Sequence, residues 1–546
     1  MSFLGLHFAI SPPSSINIDF AFSMATATSQ PERGLSQTAA NASFADALSQ
    51  PTRLVWAHDS LALGVVFALV LTLGQRAIGF VRGILFCRLM TDQELGQWSM
   101  VWSLLMLLAP LAMLGLPGCF GRYSEHYRQR GQLRIFIFRI GVVSVVMSLM
   151  TATALLIFSA TFAEWFFRDS SQTTLIASLA LSLVAVAISN FAISLMESLR
   201  QVRLVSIMRF VTGLAFAVVG TMLIVVCKDN SAAVTLAYGI CCLLGLIPAL
   251  WLGWKFRQGI IENGSSLSHS SMWRKIAPFA VWLWLSNLLN NLFEVSDRYM
   301  LIHWSDTTSA LAQATVGQYH SGRIIPLLIV SLATVVGGVL LPYMSAAWED
   351  GRIQQATRQL NVSYKLVGLS FTASGILVMI ASSFFFDTIL QGRYNDGLAV
   401  LPLTLVYCIW FSLYTVGQDY LWVAEKGRLA TLAVGAGLVA NILLNMLFIP
   451  YWGLAGAVWA TTIGNLIVLL LILVMNHYSG CNTDLGIWLI SASPLVLLLT
   501  PWLATLMLVG LCIVAHRTDW LFSPDEKQQG LVVWQALRSK LKLGDS

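Results

Sequence analysis

Seven charged side chains fall inside stretches that are otherwise apolar: Arg76, Arg82, Glu294, Asp297, Arg298, Arg323 and Asp419. A planar guanidinium grips two oxygens at once, so Arg76, Arg82, Arg298 and Arg323 are the candidates for a cationic wall that binds an anionic substrate. A carboxylate in the same setting either neutralises such an arginine or holds a coupling proton or sodium ion, and Glu294, Asp297 and Asp419 are the candidates for that role. Glu294 and Arg298 stand i,i+4 on one helical face with Asp297 adjacent, a spacing that equally suits internal pairing. Asp419 has Lys426 and Arg428 as candidate partners. Amides join the set: Asn287, Asn290 and Asn291 lie near the middle of one apolar run, and Asn441 with Asn445 forms an i,i+4 pair in another. At that depth they bond across packed helices or line a polar cavity. His303 and His320 read as hydrogen-bonded bystanders.

Other chemistries lack their residues. No GxxxxGK[ST] stretch occurs, so a phosphate loop does not supply energy from ATP. There is no aspartate-rich cluster for magnesium and no histidine-carboxylate metal motif, so no cofactor is expected. The eight cysteines contain no CxxC pair and read as small buried hydrophobes.

The elements that must hold these residues are membrane helices. The chain of 546 residues is 57 % hydrophobic and 11 % charged, which excludes a water-soluble enzyme. A net charge of +6, dispersed among short loops, is too modest for a nucleic-acid binder. Apolar runs of spanning length recur near 61–85, 97–119, 135–162, 174–196, 206–227, 232–253, 276–303, 317–345, 360–387, 398–423, 429–450 and 453–476, twelve in all. The stretch from Leu485 to Val514 carries Pro494 and Pro501, which suits a hairpin of two short helices and brings the count to fourteen. At ~1.5 Å rise per residue, Arg76, Glu294 and Arg323 all fall in the half of the bilayer opposite the basic loops. Loops after even-numbered spans hold sixteen basic residues against four on the other side (Arg88, Arg168, Lys228 and Arg393). That asymmetry puts both termini in the cytoplasm of a multi-pass inner-membrane protein.

The expected organisation is a flexible cytoplasmic extension over 1–58, a six-helix lobe over 59–254, a cytoplasmic linker over 255–275 and a second six-helix lobe over 276–476. An extra hairpin over 484–516 and a cytoplasmic tail over 517–546 follow, the tail with apolar and basic residues alternating from Leu531 to Leu543. Nothing before Met24 looks structurally useful, and initiation there is the expectation.

The two lobes share words. Leu95-Gly96-Gln97-Trp98-Ser99 returns 221 residues later as Val316-Gly317-Gln318-Tyr319, with Ser321 close behind. Both segments then run through a proline, Pro110 or Pro326, to a Leu-Pro pair, Leu116-Pro117 or Leu341-Pro342, and on to a charged loop with Gly131 or Gly351. Repeats six spans apart share one orientation, which implies parallel lobes related by a pseudo-two-fold along the membrane normal, with substrate between them.

Three stretches carry a family likeness: Arg82 to Leu133 with its ELGQWS and LGLPGCFGRYSEHYRQRG; Val295-Ser296-Asp297-Arg298-Tyr299 followed by VGQYHSGR; and Asn445 to Ala457. With them the chain resembles the polysaccharide-biosynthesis flippases, relatives of the multidrug and toxin extruders and the lipid II flippases, over residues 60 to about 480. The resemblance implies an all-α, V-shaped transporter of twelve to fourteen helices. It would move polyprenyl-diphosphate-linked oligosaccharide to the outer face of the inner membrane, with the intramembrane arginines gripping the diphosphate. Membrane lipids, a proton or sodium ion, and glycan polymerase or ligase machinery are the implied partners. The competing readings are a cation-coupled drug exporter of the same fold and a membrane glycan ligase or polymerase. The first calls for an acidic or apolar cavity and the second for a large outer loop.

Overall fold

Turns at glycine and proline cut the apolar sequence into helices, and a computed structural model describes residues 61–227, 230–255, 267–524 and 526–527. Helices α1 (Leu61–Leu89) and α2 (Asp92–Ala112) lead through a 3-10 turn, Leu116–Cys119, to the short α3 (Phe120–Gln129). Then come α4 (Leu133–Ile157), α5 (Ser159–Phe167), α6 (Thr173–Ser198), α7 (Val202–Val226), α8 (Asn230–Leu244) and α9 (Ile247–Lys255). The second half has α10 (His269–Trp304), α11 (Ser309–Glu349), α12 (Ile353–Phe384), α13 (Asn395–Ala399), α14 (Leu401–Val423) and α15 (Gly427–Tyr478). Two short helices, α16 (Leu485–Ala492) and α17 (Pro501–Arg517), close the described chain.

Among the described residues no strand occurs, and ten helices are long and apolar enough to cross a membrane. Two features reconcile ten with the expected twelve. The 52 residues of α15 would measure about 78 Å, more than twice a bilayer core, and the helix folds back at Gly453, where φ is +52°. Its two arms then lie so close that Gly437 and Gly464 touch each other's backbone. Helix α10 has spanning length but is interrupted by its asparagines and charges, which lower its hydropathy. The hairpin appears as expected, with apolar stretches Leu485–Leu498 and Pro501–Ala515 separated at the prolines.

Pseudo-symmetry is visible in the backbone. Gly131 and Gly351 both take positive φ, +66° and +74°, and end their helices with the same pair of closing hydrogen bonds. Arg200 and Glu425 likewise adopt left-handed conformations at matching inter-helix turns. The halves differ where α2 breaks at Leu114 and Gly115, whereas its counterpart α11 runs unbroken past Pro326 and Pro342. Helix α10 bridges both halves, packing on α2 and on α15. At the basic end it stays with the first half, where Trp284 donates to the Leu111 carbonyl and Tyr123 to the Lys275 carbonyl.

Seven of the eight cysteines are buried or half-buried, as expected, and Cys512 is exposed. Lys365, one of the sixteen basic residues assigned from sequence to the loops after even-numbered spans, is instead a fully buried member of α12. It pairs with Asp484 before α16 and with Glu526 at 2.9 Å. The expected N-terminal extension and the Leu531 to Leu543 segment lie outside the described residues.

Candidate functional site

Three of the charges singled out in the sequence, Glu294, Arg298 and Arg323, meet where α2, α10 and α11 pack together. One helical turn apart on α10, Glu294 and Arg298 pair at 3.1 Å, and Arg323 of α11 reaches the same carboxylate with both Nη atoms, at 2.8 and 3.3 Å. Arg298 also donates from Nε to Ser99 Oγ of α2 at 2.9 Å, and His320 Nδ1 lies 3.1 Å from that hydroxyl. Both guanidiniums flank the ring of Tyr319, at 5.8 and 5.0 Å from its centroid. From the first half Arg82 lies over the Phe216 ring at 4.5 Å, with no carboxylate partner among the described residues, and within electrostatic reach of His320. Of the four expected arginines, Arg298 and Arg323 therefore meet at the seam between the halves, and Arg82 stays against first-half rings. Arg76 does not join them: it is exposed on α1, in the electrostatic range of Arg209.

Asp297, one residue before Arg298, faces the other way into α15. Its Oδ1 accepts from the amides of Asn441 (3.0 Å) and Asn445 (2.9 Å), and its Oδ2 from Thr461 (2.7 Å) and Tyr319 (3.0 Å). Four neutral donors and, among the described residues, no direct cationic partner surround a residue that is 3 % exposed. A cavity of about 250 Å³ adjoins it, lined among others by Asn290, Glu294, Arg323, Tyr407 and Asn465. The expectation for the amides divides. Asn441 and Asn445 do bond across helices, Asn441 also accepting from Ser296, while Asn291 donates to the Asn287 carbonyl of its own helix.

Asp419 departs from its expected pairing with Lys426 or Arg428. Its Oδ2 is buried without a partner among the described residues and faces Gly337 of α11, because α14 turns that side chain inward while the two cations lie beyond the helix end.

At the end opposite the basic loops the halves are locked. Gly96 and Gly317, the glycines of the repeated motif, let α2 and α11 touch backbone to backbone, each occupying the space that a side chain on the other helix would need. Gln313 accepts from both Gln93 and Gln97, and Gln318 donates to Asp92. Two loop arginines complete the lock reciprocally. Arg168, between α5 and α6, donates to the carbonyls of Ile302 and Ser305 at the end of α10. Arg393, between α12 and α13, donates to the carbonyls of Arg88 and Met90 at the end of α1 and pairs with Asp92. Each half thus caps the C-terminal carbonyls of the other half's first helix, where a cation also meets the negative end of the helix dipole.

Ser99, Tyr319, Tyr407 and Thr461 were not singled out from sequence. Ser99 and Tyr319 sit inside the repeated words, and that was the available signal. Thr461 gave none, since hydroxyls are common in apolar helices.

Comparison with known proteins fits this architecture. Residues 61–348 match the model of the family described as polysaccharide biosynthesis protein. The chain is 22 % identical over 450 residues to the lipid II flippase MurJ of Bacillus subtilis strain 168, covering 75 % of this chain and 82 % of that protein. It is 23 % identical over 280 residues to the uncharacterized membrane protein YabM of the same organism, spanning half of each. Among solved structures, a lipid II flippase MurJ in an inward closed conformation aligns with a TM-score of 0.63 at 14 % identity, over 87 % of this chain and 98 % of that one. An inward-facing multidrug resistance MATE family transporter of the MOP superfamily aligns with a TM-score of 0.60 at 15 % identity, over 76 % and 97 %. By the family match, which spans more than half its length, the chain belongs to the polysaccharide biosynthesis protein family.

Proposed function

We propose that the chain is a transporter, not an enzyme, that flips a polyprenyl-diphosphate-linked oligosaccharide from the cytoplasmic to the outer leaflet of the inner membrane for surface polysaccharide synthesis. The observation that carries this is the meeting of Arg298 and Arg323 on one carboxylate at the seam between two halves of an otherwise apolar chain. Two guanidiniums share a single carboxylate, so the site keeps net positive charge at bilayer depth, a setting that favours a multiply charged anion. In this reading the lobes, 59–254 and 276–476, rock about the seam, and the lock at the end opposite the basic loops is the closed outer gate. Asp297 serves as the coupling-ion carboxylate. Thr461 and the Asn441 and Asn445 amides, turned to present their oxygens, complete an oxygen-rich shell for sodium. Glu294 is committed to arginine, which disfavours it for that role. Clean deletion of the gene tests the proposal: lipid-linked oligosaccharide should accumulate on the cytoplasmic leaflet, and normal surface glycan in the absence of a paralogue would reject it. A drug exporter of the same fold is the second reading, favoured only by the MATE likeness and opposed by the excess of arginine at the seam.

A further inference from the structure

Glu294 stands in front of the arginines that the substrate reading needs. Its side chain is 47 % exposed, while those of Arg298 and Arg323 behind it are 4 % and 7 % exposed. Three guanidinium hydrogen bonds converge on its two carboxylate oxygens, and the Nε of Arg323 is buried with no partner among the described residues. An anion entering from the adjoining cavity therefore meets a like charge first, and reaches the guanidiniums only where that carboxylate now lies.

We infer that Glu294 is an exchangeable counter-anion: a prenyl diphosphate replaces its carboxylate on Arg323 and Arg298, and Glu294 withdraws toward the cavity until the diphosphate leaves. This rests on the substrate reading above and adds to it a residue that sets selectivity. No bond is made or broken; one set of charge-assisted hydrogen bonds replaces another. With the site empty, Glu294 spares two buried arginines the cost of standing unpaired in a low-dielectric surround. A diphosphate displaces it because the incoming group brings more charge and more acceptor oxygens than one carboxylate, including one for the unpartnered Arg323 Nε. A monophosphate has less of both and competes poorly, so the built-in carboxylate acts as a threshold against weaker anions. Return of Glu294 then helps expel the diphosphate, which two unopposed arginines would hold too tightly for turnover.

The test is equilibrium binding to the full-length protein in lipid nanodiscs, with farnesyl diphosphate, farnesyl monophosphate and farnesol as probes. Glu294→Gln, which cannot compete as an anion, should bind farnesyl diphosphate about tenfold more tightly than the wild type and narrow its preference over the monophosphate. Glu294→Asp, which keeps the charge but is too short to hold both arginines, should fall between the two and decides the matter alone if the Gln variant fails to fold. Unchanged or weaker binding in the folded Glu294 variants, with binding still lost in Arg323→Gln, overturns the exchange and leaves the substrate reading intact. Wild-type protein that does not distinguish farnesyl diphosphate from farnesol overturns the substrate reading itself.

Discussion

Arg323 is the residue on which the site turns, because it holds Glu294 with both Nη atoms and faces the cavity between two tyrosine rings. Arg323→Ala should lower flipping by about 100-fold, the size expected from some 3 kcal/mol for a buried charge partner, without lowering membrane abundance. Lysine should restore only part of the activity, since a point charge lacks the fork. Loss of folded protein in the Ala variant would instead assign Arg323 a purely structural role. Asp297→Asn should leave the protein folded and farnesyl diphosphate binding nearly intact while removing any sodium dependence of flipping. Retained sodium dependence in that variant moves the coupling site elsewhere. The charges themselves were legible because an ionised group in an apolar run is costly and so has a purpose. Their partners were not. Thr461 meets Asp297 across 164 residues of sequence, and nothing in a threonine on an apolar helix announces such a contact. Asp419 shows the converse: sequence proximity offered it two cations, and helix geometry turned it away from both.

At the scale of elements, the repeated words prove to be a contact. Leu95-Gly96-Gln97 and Val316-Gly317-Gln318 read as a sign of duplication, yet the two copies face one another and their glycines let α2 and α11 touch. Duplication is visible in one dimension, whereas the meeting of the copies depends on how the halves close. Alanine at Gly317 inserts a methyl group where the Asp92 carbonyl lies, so Gly317→Ala should open the lock. Removing the reciprocal caps with Arg168→Ala and Arg393→Ala should do the same. Single cysteines placed at Ser99 in these backgrounds should react faster with an impermeant thiol reagent added from the outside, and unchanged rates would show that the lock does not gate access. A separate element-level device is the buried Lys365, which ties α12 to the start of α16 and to Glu526. Lys365→Ala leaves two carboxylates without their cation and should cost about 3 to 5 kcal/mol of stability, read as a fall in thermal midpoint of the purified protein.

For the whole molecule, the fold class was the most legible property, since twelve spanning runs and a hairpin leave few packings open and the resemblance named one of them. Span limits were less so: α10 begins at His269 and α11 at Ser309, ahead of the apolar runs at 276 and 317, because a helix continues through polar residues outside the bilayer core where hydropathy no longer marks it. Energetics at this scale follow from charge. A lipid diphosphate with about two negative charges gains roughly 4.6 kcal/mol per 100 mV on moving outward across an inside-negative membrane. Potential alone should therefore accelerate export, with sodium at Asp297 adding to it. The most direct measurement is leaflet exposure of a prenyl-diphosphate-linked oligosaccharide in proteoliposomes containing the purified full-length chain, with potential and sodium gradient set separately. Transport by the wild type should rise with an inside-negative potential in liposomes oriented as in the cell, and should fall about 100-fold in Arg323→Ala. Equal transport of a neutral prenyl-linked glycan, or none of either under any gradient, would contradict an arginine-based flippase.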